Sequence, residues 1–290
     1  MSNVDHQPLV SVIMNCYNGE KYISKAVNSV LSQKYENWEL VFWDDQSSDK
    51  SKDVFLRFAD KRLRYFLSSE RANLSSSRIL AIDKSKGDII TFLDVDDYWD
   101  SCYLNTQVGI FTDESITFSC GNFFVVQVDS KKRIYRNKLP QGRVTNELLS
   151  DYSVGLLTLA IRRSSYYQSG GFSEKYHIIG DFDLVMRLSL KGNMMSFSKP
   201  LAYCLKHDEN ESFLKVDQHI EELEEWYFYN NNNFDKKSVE LFYISIEYKK
   251  ILREINNNKK TLYLIRRIMK HKNFKNIAKL FIKLLISKNK

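Results

Sequence analysis

The sequence predicts an α/β protein built on a mostly parallel sheet with helices on both faces. Three observations point there. Short apolar, β-branched runs alternate with helix-period segments through the first third of the chain. Three of the strand-like runs end in a cluster of Asn or Asp, as loops at the carboxyl edge of such a sheet do. The composition, 43% hydrophobic and 27% charged with only 3 Pro and 10 Gly in 290 residues, suits a folded domain with a large core and excludes a mainly disordered or collagen-like chain.

In order, residues 9–15 (LVSVIMN) read as a buried strand, and Asn18-Gly19 punctuates it. Ile23, Ala26, Val27, Val30 and Leu31 recur at helical spacing and give one apolar face. Residues 38–43 (WELVFW) are a second strand. Residues 44–49 (DDQSSD) form a loop with helix-start residues that leads to Val54, Phe55 and Phe58. Residues 63–67 make a third strand. Residues 74–85 make a helix, with Gly87 in the place of a C-terminal stop. Residues 88–93 (DIITFL) make a fourth strand, running into Asp94, Asp96 and Asp97. Beyond it, residues 116–128, 156–161 and 194–205 read as strands and 143–151 as a short helix. Gly170-Gly171-Phe172 is a turn, and 181–190 has a helical pattern. The composition changes near residue 210, where long helical segments begin, broken by runs of Asn at 230–233 and 256–258. The expected organisation is therefore a domain over 1–210 and a helical, basic extension over 211–290.

The formal charge of +7 is uneven. Residues 259–290 hold 11 Lys and Arg and no acid, which leaves residues 1–258 with 32 basic and 36 acidic groups. The body is slightly acidic and lacks the footprint of a nucleic-acid binder. No apolar run approaches a membrane span, and the polar first residues do not read as a signal peptide. Four scattered cysteines without CxxC spacing argue against a zinc site or a disulfide framework, so a cytoplasmic location is expected. Neither GxGxxG nor GxxxxGK[ST] occurs.

Three sets of strand-end residues should converge on one crevice: Asn15 with Asn18, Asp44 with Asp45, and Asp94, Asp96 and Asp97. Asp and Asn also favour turns for their own sake. Carboxylates packed this densely repel one another unless a cation sits among them, which suggests Mg²⁺ or Mn²⁺ with oxygen ligands and substrate phosphates. A separate carboxylate, Asp181 or Asp183, is placed to take a proton if its helix N-terminus faces the crevice. The helix dipole alone is the plainer account of both.

Four blocks carry a family resemblance: residues 8–19 (PLVSVIMNCYNG), 40–51 (LVFWDDQSSDKS), 86–99 (KGDIITFLDVDDYW) and 171–190 (GFSEKYHIIGDFDLVMRLSL). In this order and spacing the chain resembles the family 2 glycosyltransferases with the GT-A fold, of the bacterial surface-polysaccharide type. The resemblance implies an inverting, metal-dependent transfer of a sugar from a nucleoside-diphosphate sugar, with UDP the expected nucleotide, to a hydroxyl of a glycan or lipid-linked glycan. It implies that Asp44 and Asp45 contact base and ribose, and that Pro8, Asn15, Tyr17 and Asn18 shape the nucleotide pocket. Asp94 and Asp96 would be the DxD pair that holds Mn²⁺ or Mg²⁺, with Asp97 holding the loop, and Asp181 would be the catalytic base. Gly180 stands where the family often has Glu. His207 matches a position near the metal-bound diphosphate, Arg78 one that reaches the diphosphate, and Trp99 one that stacks on a sugar. A surface histidine and a core tryptophan are the alternatives for His207 and Trp99.

Phe274, Ile277, Ala278, Phe281, Leu284 and Leu285 make an apolar stripe with Lys275, Lys279 and Lys283 off it. That basic amphipathic segment either docks on an anionic membrane surface, which would put the protein at the inner face of the cytoplasmic membrane, or packs on the body. Two rival functions stay open. One is a nucleotidyltransferase of similar fold, although residues 15–22 hold one Gly and no phosphate-cradling loop. The other is a non-catalytic carbohydrate-binding protein on the same scaffold.

Overall fold

In a computed structural model, residues 7–127, 131–207 and 215–256 are described. The segment with the amphipathic stripe lies outside them. The chain falls into two compact units, one drawn from residues 1–148 and 152–210, the other from 149–151 and 211–290.

The first unit begins as the alternation predicts, with β1 (Val10–Cys16), α1 (Ile23–Leu31), β2 (Trp38–Asp44), α2 (Ser51–Phe55), β3 (Leu63–Leu67), α3 (Leu74–Asp83) and β4 (Ile89–Phe92). It continues with β5 (Tyr98–Trp99), α4 (Tyr103–Ile110), β6 (Ile116–Gly121), β7 (Phe124–Val126), β8 (Lys132–Ile134) and α5 (Thr145–Ser150). A 3-10 turn at Leu156–Thr158, β9 (Ala160–Arg162), α6 (Arg163–Gln168), α7 (Gly180–Lys191), β10 (Asn193–Phe197) and β11 (Ala202–Leu205) follow. The main sheet has the order β10-β6-β9-β4-β1-β2-β3. Every neighbouring pair is parallel except those of β9, which runs antiparallel to both β4 and β6. A smaller sheet has the order β5-β11-β7-β8.

The core follows from the strand pleat. Val10, Val12 and Met14 of β1 and Leu40 and Phe42 of β2 join Ile23, Ala26, Val27 and Val30 of α1 in one buried cluster. Each such aliphatic side chain contributes about 1.5–3 kcal/mol on burial. α3 packs on β1 and β2. Glu39, an acid inside the fully buried β2, is accounted for by its partners. It accepts from Ser11 Oγ at 2.8 Å, from Arg64 Nη1 at 2.6 Å and from the Lys86 amide. Burial pushes its pKa up, but these donors outweigh that and hold it below the usual carboxylate range.

Four sequence expectations are corrected. Residues 116–128 and 194–205 do not form single strands; each crosses from the main sheet to the smaller one. The first breaks after Gly121, where a Cβ would lie 1.9 Å from the Phe197 ring. The second breaks at Ser198-Lys199-Pro200, because proline cannot donate to a ladder. Residues 156–161 divide into the 3-10 turn and antiparallel β9. Gly87 does not end α3 in a left-handed cap: α3 ends at Asp83, and Gly87 is glycine because a Cβ would meet Leu9 O and Ser11 N at 2.6 Å.

The second unit contains α8 (Val216–Asn230) and α9 (Lys236–Asn256). Trp226 of α8, 2% exposed, lies 5.5 Å from the rings of both Phe234 and Phe242. Arg253 Nη2 donates to Asp217 Oδ2 at 2.6 Å, and Lys250 pairs with Glu224. No helix among the described residues is long and apolar enough to cross a membrane.

Candidate active site

The loops at the carboxyl ends of β1 and β2 are laced together by short polar side chains. Asn18 adopts left-handed φ (53°), which Asn tolerates, and its Oδ1 accepts from the Ser48 amide at 2.8 Å. Its own amide donates to Ser47 Oγ, and the Gly19 amide to Ser51 Oγ, both at 2.9 Å. Asp44, 1% exposed, spends its two oxygens internally, accepting from the Ser47 amide at 2.8 Å and from Tyr65 OH at 2.7 Å. Asp44 therefore builds the loop, whereas Asp45 sits beside it with Oδ1 accepting from the Ala72 amide at 3.2 Å. Tyr17 is 43% exposed, with the Arg71 guanidinium 3.6 Å above its ring. Asn15 pairs in register with Trp43, so the two share a face. Asn15 Nδ2 and Trp43 Nε1 are buried donors with no partner among the described residues, as is the Ser77 hydroxyl of α3. Such atoms cost free energy until a water or ligand atom meets them.

Two predicted residues stand apart. Pro8 precedes β1, so the length of that strand, about 20 Å, separates it from the Asn15–Asn18 end. Its carbonyl accepts from Tyr35 OH at 2.5 Å instead. Trp99 is 3% exposed, stacks on Tyr103 at 4.1 Å and donates Nε1–H to Leu157 O at 2.7 Å. It is a core tryptophan with no face for a sugar. The pleat explains this: its neighbour Tyr98 takes the opposite side of β5.

After β4 the acidic residues divide their work. Asp97, 6% exposed, accepts from the Leu205 amide at 3.0 Å and so ties the loop to β11. Burial, then the charges of Asp96 and Asp94, raise its pKa well above the usual range. Asp96 Oδ2 lies 3.0 Å from His207 Nε2, and the His207 ring stacks on Tyr22 at 4.8 Å. Burial and Asp94 raise the Asp96 pKa, with His207 opposing. Asp94, with its side chain 41% exposed, lies 3.3 Å from Nη2 of Arg78. Among the described residues no three His, Cys, Asp or Glu side chains close around a cation on their own. An oxygen and an imidazole already paired, with Asp94 beside them, fit a divalent ion that takes its remaining ligands from substrate oxygens and water.

The sequence left Asp181 and Asp183 as alternative bases, and the structure separates them. Asp183 Oδ2 accepts from Arg187 Nη2 at 2.6 Å, and Arg187 Nη1 is anchored on Ser169 O at 2.6 Å, so Asp183 is committed to α7. Asp181 lies in the first turn of α7. Burial raises its pKa, while the Arg78 charge and the Phe182 amide oppose the rise. The buried Tyr152 phenol feels the Asp181 charge and is itself pushed well up, by burial first. Arg78 is thus an internal cation, 5% exposed, paired with Asp94 and acting on Asp181. Sequence reading missed Tyr22, Arg71 and Tyr152. Tyr22 and Arg71 carry a signal only in hindsight, as an aromatic and a cation within a few residues of the crevice loops.

Comparison with known proteins identifies the family and the fold. The family model described as glycosyl transferase family 2 matches residues 11–183. The chain is 31% identical over 218 residues to the Escherichia coli UDP-Glc:alpha-D-GlcNAc-diphosphoundecaprenol beta-1,3-glucosyltransferase WfgD, covering 75% of this chain and 84% of that one. It is 30% identical over 159 residues to the putative Bacillus subtilis teichuronic acid biosynthesis glycosyltransferase TuaG, covering 54% and 63%. Among solved structures, Staphylococcus aureus TarS 1-349 in complex with UDP-GlcNAc superposes with a TM-score of 0.69 at 18% identity, covering 89% of this chain and 78% of that one. The mannosyltransferase PcManGT from Pyrobaculum calidifontis, in complex with GDP-Man and Mn2+, gives 0.65 at 16% identity, covering 98% and 81%. These likenesses bear out the GT-A fold. With the family match running from β1 through the first turn of α7, across every strand-end carboxylate described above, the chain belongs to glycosyl transferase family 2 and is a glycosyltransferase.

Proposed function

We propose that this glycosyltransferase moves a sugar from a nucleoside-diphosphate sugar, with UDP as the nucleotide, to a hydroxyl of a lipid-linked glycan, inverting the anomeric configuration. The observation that carries the reading is the line Asp181, Arg78, Asp94: a base carboxylate in a helix's first turn, coupled through one buried guanidinium to the acidic loop after β4. The names of the relatives, two of which act on diphosphoundecaprenol-linked GlcNAc, support the acceptor class.

In this mechanism Asp45 and Tyr17 meet the base and ribose, on a loop that Asp44 and Asn18 hold rigid. Asp181 takes the proton of the acceptor hydroxyl as its oxygen bonds to the anomeric carbon and the bond from that carbon to the diphosphate breaks. Burial makes Asp181 a stronger base than an exposed carboxylate, and the Arg78 charge opposes that rise by favouring the ionised form. Asp96 and His207, with Asp94, would hold a divalent cation, Mn²⁺ or Mg²⁺. Bound there, the ion supplies positive charge to stabilise the departing diphosphate. Asp97 keeps that loop fixed to β11.

Residues 1–210 form the catalytic domain in this reading, and 211–290 an extension that brings the enzyme to an anionic membrane surface, where lipid-linked acceptors lie. The test is a transfer assay with a UDP-sugar and a diphosphate-linked lipid acceptor. Asp181→Asn should lose about 10²–10⁴-fold in rate and still bind nucleotide; wild-type transfer by that variant overturns the base assignment. Flotation with anionic vesicles should carry the full chain and leave behind a chain ending at residue 258. Equal flotation of the two removes the membrane role.

A further inference from the structure

α3 carries Arg78 and α7 carries Asp181. The two helices meet where three hydrogen bonds join the first turn of α3 to residues 174–177, the segment that leads into α7. Asn73 Nδ2 donates to Glu174 O at 3.0 Å. The Leu74 amide donates to His177 Nδ1 at 3.0 Å. Ser75 Oγ donates to Tyr176 O at 2.5 Å. The partners lie 101 to 103 residues apart in sequence. These are tertiary bonds and not turn chemistry.

We infer that Asn73, Ser75 and His177 form a clasp that positions Asp181 beside Arg78, and that this clasp sets the rate of transfer. The inference rests on the reading of Asp181 as the base. Three features single the clasp out. Asn73 works in both directions: its Oδ1 caps α3 by accepting from the Ser76 amide at 2.9 Å, while its Nδ2 reaches across to the Glu174 carbonyl. His177 offers Nδ1 as an acceptor to an otherwise orphaned amide of the helix's first turn, so one ring both caps α3 and anchors the loop. Ser75 is fully buried, and its hydroxyl touches the space where Gly180, the residue before Asp181, would carry a Cβ. The joint is therefore tight within one residue of the base, while His177 lies four residues before it. None of the three clasp residues lies in the loops that follow β1, β2 or β4. Loosening them should alter the base's aim and not donor binding. Displacing a catalytic group by about 1 Å costs on the order of 10²-fold in rate.

Two substitutions separate clasping from folding. Asn73→Asp keeps the Oδ1 acceptor that caps α3, and Asp serves as well as Asn in that position. It replaces the donor to Glu174 O with an acceptor. His177→Asn keeps an acceptor where Nδ1 stood, because Asn Oδ1 occupies the same branch, whereas His177→Ala removes it. Steady-state kinetics with donor and acceptor, alongside thermal unfolding, should give kcat lowered about 10–100-fold in Asn73→Asp and His177→Ala. The donor KM should stay within about twofold and the melting temperature within a few degrees, and His177→Asn should recover most of the rate. Wild-type kcat in Asn73→Asp, a donor KM that rises in step with the loss of rate, or His177→Asn no better than His177→Ala would overturn the clasp. Asp181→Asn run in parallel tells the two failures apart. If it is inactive while Asn73→Asp turns over normally, only the clasp is wrong. If Asp181→Asn transfers at the wild-type rate, the base reading falls and the clasp with it.

Discussion

Gly180 stands where the family resemblance leads one to expect Glu, and the structure predicts what happens if a side chain is added there. Built on the Gly180 backbone, a Cβ would lie 2.2 Å from Ser75 Oγ, well inside contact distance, and 3.6 Å from Ser75 Cβ, an ordinary contact. Gly180→Ala therefore has two escapes. The Ser75 hydroxyl can rotate away, which breaks its bond to Tyr176 O and leaves a fully buried hydroxyl without that partner, at about 1–3 kcal/mol. Alternatively the helices part, at about 1–3 kcal/mol for overpacking. Replacing glycine at a helix start returns part of the roughly 1 kcal/mol helical preference for alanine. The net is a loss of about 1–2 kcal/mol, or roughly 2–8 °C in melting temperature for a unit of this size. Ser75→Ala alone should cost about 1 kcal/mol for the lost hydrogen bond. In the double variant the overlap is gone, because only the 3.6 Å contacts with Ser75 Cβ and Phe172 Cδ1 remain. Its cost should match that of Ser75→Ala alone, giving a coupling of about 1–2 kcal/mol in a double-mutant cycle read by urea unfolding. Gly180→Ala as stable as the wild type, or a double variant whose cost is the sum of the singles, would refute the packing argument. Gly180→Glu, with a longer side chain on the same Cβ, should be tolerated only together with Ser75→Ala.

Other outcomes follow from single groups. Transfer should lose rate as pH falls through the raised pKa of Asp181, because the base acts only when deprotonated, so the acid limb should begin above the ordinary carboxylate pKa near 4. A rate that stays flat down to pH 4 excludes this carboxylate as the base. Tyr65→Phe removes the hydroxyl that donates to the buried Asp44 at 2.7 Å. Loss of a hydrogen bond to a charged group costs about 1.5–3 kcal/mol, so the melting temperature should drop by several degrees and nucleotide affinity should fall with the loosened loop. An unchanged melting temperature would show that Asp44 is held by other means. In the second unit, burial and then the Lys249 charge push the His219 pKa down to about 4. That folded-state value is below the unfolded one near 6.5, so the stabilisation by neutral His219 is complete above pH 6.5 and is lost as pH falls toward 4. At its limit this is about 3 kcal/mol, and roughly half that for a ring only partly shielded from solvent. Circular dichroism of thermal unfolding from pH 7 to 4 should show the loss, and His219→Gln should flatten it. An equally steep loss in His219→Gln would place the acid sensitivity elsewhere.

Much of the fold could be read from residue pattern because β1, β2 and β4 are buried almost throughout, and β3 (Leu63–Leu67) pairs along β2. Val10–Cys16 and Trp38–Asp44 are dominated by apolar residues, and each has an Asn or Asp at its carboxyl end. The crossings between the two sheets could not be read that way. Residues 116–126 are apolar nearly throughout, so periodicity runs straight across Gly121–Phe123, and what breaks the strand there is the Phe197 ring, 76 residues further on. The helix at Tyr103–Ile110 was hidden for a similar reason. Its buried Gln107 reads as a polar interruption, yet Gln107 Nε2 donates to Thr158 O at 2.9 Å and to Tyr103 OH at 3.0 Å. Local sequence reports its own neighbours well and distant partners not at all.

The same limit explains the site. The carboxylates were legible because a cluster of like charge after an apolar strand is conspicuous wherever it occurs. The family resemblance casts Arg78 as a hand reaching for phosphate. Its burial and its two acidic neighbours, one from the loop after β4 and one from α7, change what it can do. A guanidinium 3.3 Å from Asp94 and 5% exposed has lost most of its hydration, and Asp94 already takes one of its donors. We read its use as balancing the charge of Asp94 beside it and favouring the ionised form of Asp181. That assigns the acids unequal roles. Asp94 already shares its charge with Arg78, so Asp96, set against His207 and held close by the Asp97 tie to β11, has the more exclusive claim on a cation. Asp96→Asn should accordingly weaken Mn²⁺-dependent nucleotide binding more than Asp94→Asn does. The reverse order in a titration with Mn²⁺ and UDP would return Arg78 to the substrate and Asp94 to the metal.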